Sequence, residues 1–169
     1  MQDSVSPTPT SLVSALAVAL AVACGGTQPT EDDKPVAPPT PQQVVSSAKN
    51  VLDRYQQGYV VLSAEALQPI YIEGLDVVVT VQGKSYRGWS QVEAYLRDLF
   101  ARAETIRIDF ANVSVVALGN DAAEVTADLT REIKEGATMV KETGVLSLTL
   151  SRIDREWLIR TEHFSYGLR

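Results

Sequence analysis

The residues best suited to chemistry lie close to the C-terminal end of the chain. His163 is the only histidine, and Thr161 and Ser165 flank it at two-residue spacing. In an extended strand these three side chains share one face with Trp157 and Ile159. That face begins apolar and ends polar, which is typical of a strand that forms one wall of a pocket. Because histidine exchanges a proton near neutral pH, His163 is the candidate base or hydrogen-bond partner.

The composition narrows the chemistry that these residues can support. The 169-residue chain has one cysteine and one histidine, which excludes an internal disulfide, a cysteine-based zinc site and a pair of catalytic histidines. Its net charge is −6, and lysine and arginine are scattered among acids, so a nucleic-acid-binding face is not expected. No glycine-rich phosphate-binding loop or ligand cluster occurs, so we expect no metal and no nucleotide or flavin cofactor.

The first forty residues differ in composition from the rest of the chain. Residues 12–23 are apolar or small, too few to span a bilayer but typical of a signal peptide. They end at Cys24, which resembles the bacterial lipoprotein signal, in which such a cysteine is lipidated and anchors the protein to a membrane. Residues 25–40 are rich in proline, threonine and acid, which predicts a flexible linker. A buried apolar helix with an incidental cysteine is the alternative.

These features predict an exported protein that is lipid-anchored in the bacterial cell envelope. The expected organisation is a signal segment over residues 1–24, a linker over residues 25–40 and a folded domain over residues 41–169.

Helical spacing of apolar residues predicts three helices in the domain. Thr40 can cap the first helix, with Pro41 at its first position, and the apolar stripe continues to about residue 61. Ser63 caps a second, short helix. A third helix is predicted from Ser90, which with Glu93 has the spacing of a capping box. Helices therefore dominate the first half of the domain.

Strand patterns follow the second helix and then the third. A strand pair is predicted over residues 75–87, and four antiparallel strands joined by short hairpins begin at residue 105. The alternation slips by one residue near Ala111–Asn112, which predicts a bulge that bends the sheet. The order predicts an α+β fold in which three N-terminal helices pack on a strongly bent antiparallel sheet around a cone-shaped interior.

Three stretches resemble the SnoaL-like proteins of the nuclear transport factor 2-like superfamily. Residues 86–96 resemble the step into the third helix, and residues 113–125 resemble a hairpin of that family. Residues 156–160, followed by His163 and Ser165, resemble its closing strand. The likeness covers residues 42–166 and implies a cone-shaped nuclear transport factor 2-like fold. Because this fold serves enzymes, binding modules and assembly domains, the resemblance does not imply a reaction.

The resemblance also implies which residues line the cone. The preferred hypothesis is that the cone binds a small apolar molecule. The alternative is a cofactor-free isomerase, cyclase or hydrolase that uses His163 as base and Tyr55 or Tyr86 as donor; His163 is otherwise satisfied by a tyrosine or a backbone carbonyl. Besides His163, the candidate pocket residues are Tyr55, Tyr59, Tyr71, Tyr86, Trp89, Thr161 and Ser165.

A third hypothesis concerns the outer face of the sheet. Residues 126–132 and 147–151 place threonine, serine and acidic side chains on it. In the family such faces often pair, so the resemblance implies a homodimer, with a solvated sheet face as the equal alternative. The acids Asp128, Glu142 and Glu162 are predicted to be solvated charges.

Overall fold

The computed structural model describes residues 37–166. The predicted signal segment, Cys24 and most of the predicted linker lie outside the described residues. No helix within residues 37–166 is long and apolar enough to cross a membrane. The elements in chain order are α1 (Pro41–Val60), α2 (Ala64–Leu67), β1 (Val78–Val81), β2 (Lys84–Arg87), α3 (Trp89–Arg102), β3 (Thr105–Ala117), β4 (Ala122–Glu135), β5 (Thr138–Ile153) and β6 (Glu156–Tyr166).

The six strands form one curved, open sheet in the order β2-β1-β6-β5-β4-β3. Strands β3 to β6 are antiparallel neighbours, as predicted. Strand β1, however, pairs with β6 in parallel. The sheet is therefore mixed, and the prediction of a wholly antiparallel sheet is wrong. Parallel neighbours need a long connection between them, and here α3 and the four strands β2 to β5 supply it.

The first helix begins where its sequence predicts. Thr40 Oγ1 accepts from the backbone N–H of Gln43 at 3.3 Å, and Gln43 Oε1 accepts from the N–H of Thr40 at 2.7 Å. Pro41 occupies the first turn, where its missing N–H costs nothing. The helix lies across the concave face of the sheet, against β3, β4 and β6. It is the main cover of the interior.

The other two helices cover less of the sheet than predicted. Ser63 caps α2 as expected, but α2 is a single turn. Helix α3 begins after Gly88, without a side-chain cap, so the predicted capping box of Ser90 and Glu93 is wrong. Glu93 instead forms an ion pair with Arg97 one turn later. The predicted packing of three helices on the sheet is thus reduced to α1 with contributions from the buried side of α3.

Two bulges interrupt the strands. One lies between Ala111 and Ser114 of β3, which confirms the predicted slip. The second lies in β6, where Leu150 pairs with Ile159 but Thr149 pairs with Thr161, so that Arg160 is an additional residue. One additional residue reverses the direction of every later side chain in a strand. This second bulge decides which residues face the interior.

Candidate functional site

Strand β6 turns its predicted site residues away from the interior. Trp157 and Ile159 are buried as expected, but after the bulge His163 and Ser165 are exposed and Thr161 is half-buried on the outer face. The expectation that Thr161, His163 and Ser165 line the cone is wrong. The reason is the extra residue at the bulge, which the alternating pattern does not include.

Glu162 occupies the interior instead and is 3% exposed. Its Oε1 accepts from the Tyr55 hydroxyl at 2.7 Å, and its Oε2 accepts from the Tyr71 hydroxyl at 2.5 Å. The Tyr59 hydroxyl lies 3.3 Å from that of Tyr55. The structure thus brings together three predicted pocket tyrosines, but around a carboxyl group. The prediction that Glu162 is a solvated charge is wrong.

The surroundings of Glu162 determine its protonation. Burial raises the pKa of its carboxyl group, while the hydrogen bonds from Tyr71 and Tyr55 and the positive charge of Arg131 oppose that rise. Burial also raises the pKa of Tyr55 and Tyr71 well above the ordinary value, and the nearby Glu162 adds to the effect. These tyrosines are therefore neutral groups that hydrogen-bond to a shielded carboxyl.

The Tyr55 hydroxyl has one proton and two oxygen neighbours. It either donates to Glu162 and accepts from Tyr59, or donates to Tyr59 and accepts from a protonated Glu162. The direction of this short hydrogen-bonded chain therefore follows the protonation of the carboxyl group.

Arg131 is the second buried charge and is 4% exposed. Its Nε and Nη2 lie 2.7 Å and 2.6 Å from Oε2 of Glu142, and Nη2 also donates to the Tyr166 hydroxyl. The guanidinium carbon is 5.3 Å from the centre of the Phe164 ring. Glu142 is thus an ion-pair partner, and the prediction that it is solvated is wrong. The sequence shows no signal for this pair beyond the inward register of β4.

Arg131 forms the inner wall of a pocket with a volume of about 390 Å³. The hairpin of β1 and β2, helix α3 and strands β4 and β5 enclose it, and we call it the mouth pocket. The Tyr86 and Tyr95 rings stack beside it with centres 4.5 Å apart. Its lining includes Lys84, Tyr86, Tyr95, Arg131, Val140 and Glu142.

The deep part of the cone is filled by aromatic side chains. Tyr59 packs edge-on against Phe100 with ring centres 5.4 Å apart. The half-buried Trp89 packs on Tyr71 at 5.4 Å, as a structural rather than an open-pocket residue. Of the predicted pocket residues, Tyr86 is the one that lines the mouth pocket.

One sequence signal pointed to the observed face of β6. The predicted alternation leaves Phe164 and Tyr166 outside, although each aromatic side chain can bury a large apolar area. A slip that returns them to the interior also brings Glu162 inside. Among residues 37–166, no group of three or more His, Cys, Asp or Glu side chains is arranged to hold a metal ion.

A curved, open six-stranded sheet with a helix across its concave face defines the nuclear transport factor 2-like class of folds. A nuclear transport factor 2-like superfamily protein from Salmonella enterica has this fold, with a TM-score of 0.72, 15% identity, and coverage of 77% of this chain and 95% of that one. A provisionally described dehydratase from Streptomyces avermitilis has a TM-score of 0.68 and 19% identity, and the match covers 77% of this chain and 100% of that one. A provisionally described aromatic ring hydroxylase from Novosphingobium aromaticivorans has a TM-score of 0.71 and 15% identity, and the match covers 78% of this chain and 94% of that one.

At these identities the solved structures establish the fold alone. Within this class, the chain belongs to the SnoaL-like domain family, which matches residues 48–169. The predicted family and superfamily are therefore confirmed. No curated protein matches the chain.

Proposed function

We propose that this SnoaL-like domain binds a small molecule in the mouth pocket. The observation that supports the proposal is a pocket on the concave side of the sheet with a buried arginine at its inner wall. Its volume of about 390 Å³ falls in the usual range for small-molecule sites, about 300–1,000 Å³. Leu99, Ile133 and Val140 give the pocket apolar surface beside its charges.

Catalysis by His163 receives no support from the geometry. The side chain is exposed on the outer face and makes no hydrogen bond to a described residue. Glu162 is enclosed by tyrosines and does not line the mouth pocket. Neither side chain is placed to act on a molecule in the mouth pocket, so binding is the function that we propose.

Native mass spectrometry of the purified full chain tests the proposal. We expect an additional mass that remains under native conditions and leaves on denaturation. Val140→Trp would fill the mouth pocket and abolish the additional mass. Val145→Trp is the matched control, because Val145 lies on the same strand, is similarly exposed at 43% against 38%, and points to the outer face.

The expected contrast is therefore loss in Val140→Trp and retention in Val145→Trp. Equal retention in both variants would place the ligand elsewhere and overturn the proposal. A chain that carries no ligand and also fails to bind 1-naphthoate and 1-naphthamide would overturn it as well.

We also propose that the domain is held at a membrane of the bacterial cell envelope through a lipid on Cys24. The support is the apolar run of residues 12–23 that ends at this cysteine. Expression in a bacterial host should give a membrane-associated chain whose N-terminal peptide carries the mass of acyl groups. Cys24→Ser should abolish both; membrane association that persists in this variant would contradict lipidation as the anchor.

A further inference from the structure

We infer that the ligand of the mouth pocket has an apolar body and one anionic group of the carboxylate class. This inference rests on the proposed binding function and specifies its substrate class.

The charge of the mouth pocket is opposite to that of the protein. The chain has a net charge of −6. Its mouth pocket, however, is lined by three cationic side chains (Lys84, Arg102 and Arg131) and two carboxylates (Glu135 and Glu142), which leaves one positive charge. An excess of one positive charge around one concavity of an acidic protein favours an anion there over a cationic molecule.

The positive charge can be located. Arg131 pairs with Glu142, and Arg102 lies 3.9 Å from Glu135. Lys84 has no carboxylate within 4.0 Å among residues 37–166, and its Nζ lies 4.9 Å from the centre of the Tyr86 ring. The ring holds the ammonium group at the pocket without neutralising it. Lys84 is therefore available to a ligand anion.

Arg131 offers a second donor to the same pocket. Its Nε and Nη2 are taken by Glu142 and Tyr166, whereas Nη1 makes no hydrogen bond to a described residue. Because Arg131 lines the mouth pocket beside Tyr95, Nη1 is the guanidinium nitrogen that Glu142 and Tyr166 leave for a ligand there, and guanidinium N–H groups suit the planar oxygens of a carboxylate.

The remaining lining indicates the body of the ligand. The stacked rings of Tyr86 and Tyr95 form one wall, and Leu99 and Val140 contribute apolar surface. Flat aromatic and aliphatic walls favour a compact ring system rather than a long chain. The charge and the walls together define an aromatic or alicyclic monocarboxylate.

A matched pair of probes tests the anionic group. 1-Naphthoate and 1-naphthamide have nearly the same shape, but only the first carries a charge. Isothermal titration of each into the full chain should show naphthoate binding at least about tenfold more tightly, because a charge-assisted contact adds about 1.4 kcal/mol or more. Higher salt should weaken naphthoate binding and leave naphthamide binding unchanged.

The variant Lys84→Gln assigns the effect to the pocket. It should weaken naphthoate binding about threefold to tenfold without changing naphthamide binding. Lys141→Gln is the matched control, since it removes the same charge from the outer face, where Lys141 pairs with Glu132. It should change neither affinity.

The outcomes separate the two proposals. Equal affinity for the two probes, both lost in Val140→Trp, would retain the binding function and overturn the anionic class. Weakening by Lys141→Gln as strong as that by Lys84→Gln would also overturn it, because the effect would then come from net charge. If neither probe binds at millimolar concentration and no ligand co-purifies, the binding function itself fails.

Discussion

The buried carboxyl group of Glu162 makes the protein's stability depend on pH in an unusual direction. Most carboxyl groups have a lower pKa in the folded state, but burial raises the pKa of Glu162. Below about pH 4.3, the pKa of a glutamate in the unfolded chain, Glu162 is protonated in both states, and the stability that its raised pKa contributes is fully present. As the pH rises further, the unfolded chain loses its proton before the folded protein does. Stability therefore falls until the pH exceeds the pKa of the folded state.

Glu162→Gln should remove this dependence. The glutamine oxygen can accept from one tyrosine hydroxyl, and its amide group can donate to the other, as the protonated acid does. The free energy of unfolding of the variant relative to the native protein should therefore increase between about pH 4 and pH 8. Each tenfold difference in proton affinity between the two states contributes about 1.4 kcal/mol to that change.

Glu162→Ala should instead destabilise the protein. The hydroxyl of Tyr71, a residue that is 2% exposed, loses its partner, while that of Tyr55 keeps Tyr59 at 3.3 Å. A buried hydroxyl without a partner costs about 1–3 kcal/mol, and lost packing adds to it. We expect a loss of about 2–4 kcal/mol.

Urea unfolding, followed by circular dichroism across the pH range, measures these effects. Glu156→Gln is the control, because Glu156 lies on the same strand and is exposed. Parallel pH profiles of the native protein and Glu162→Gln would refute a raised pKa of Glu162, and a Glu162→Ala variant as stable as the native protein would refute its role as the partner of Tyr71.

Three further predictions address packing, the buried ion pair and assembly. Gly58→Ala should lower the thermal midpoint of unfolding, because a Cβ there would lie 2.4 Å from Leu67 Cδ2. The overpacking costs about 1–3 kcal/mol, which exceeds the gain in helix propensity of about 1 kcal/mol. An unchanged midpoint would contradict this prediction. Arg131→Met should lower the free energy of unfolding in urea by about 3–5 kcal/mol, because it leaves Glu142 unpaired. Adding Glu142→Gln should recover part of that loss, and no recovery would contradict the ion-pair explanation. We propose that the outer sheet faces pair in a homodimer, so sedimentation equilibrium should show a dimer that Ser147→Arg dissociates, whereas a native monomer at high concentration would exclude this assembly.

Much of the fold could be predicted because its signals are local. The cap of α1 depends on Thr40, Pro41 and Gln43, which lie within one turn. The bulge in β3 is visible because apolar residues change face on either side of it. The family resemblance depended on stretches of the same local kind.

The parallel pairing of β1 with β6 was not predictable in this way. No short pattern distinguishes a parallel from an antiparallel neighbour when many residues separate the two strands. The pairing depends on where α3 and the intervening strands return the chain.

The sequence alone determined the elements, the family and the presence of tyrosines on the buried face of α1. Tertiary structure decided which side of β6 faces them. The bulge at Arg160 is the point at which the pairing register of β5 and β6 shifts, and it moves His163 outside and Glu162 inside. Tyr55 and Glu162 are 107 residues apart in sequence, so their hydrogen bond follows from packing rather than from local pattern. A charge can be buried only where the fold supplies its partners, and those partners come together only in three dimensions.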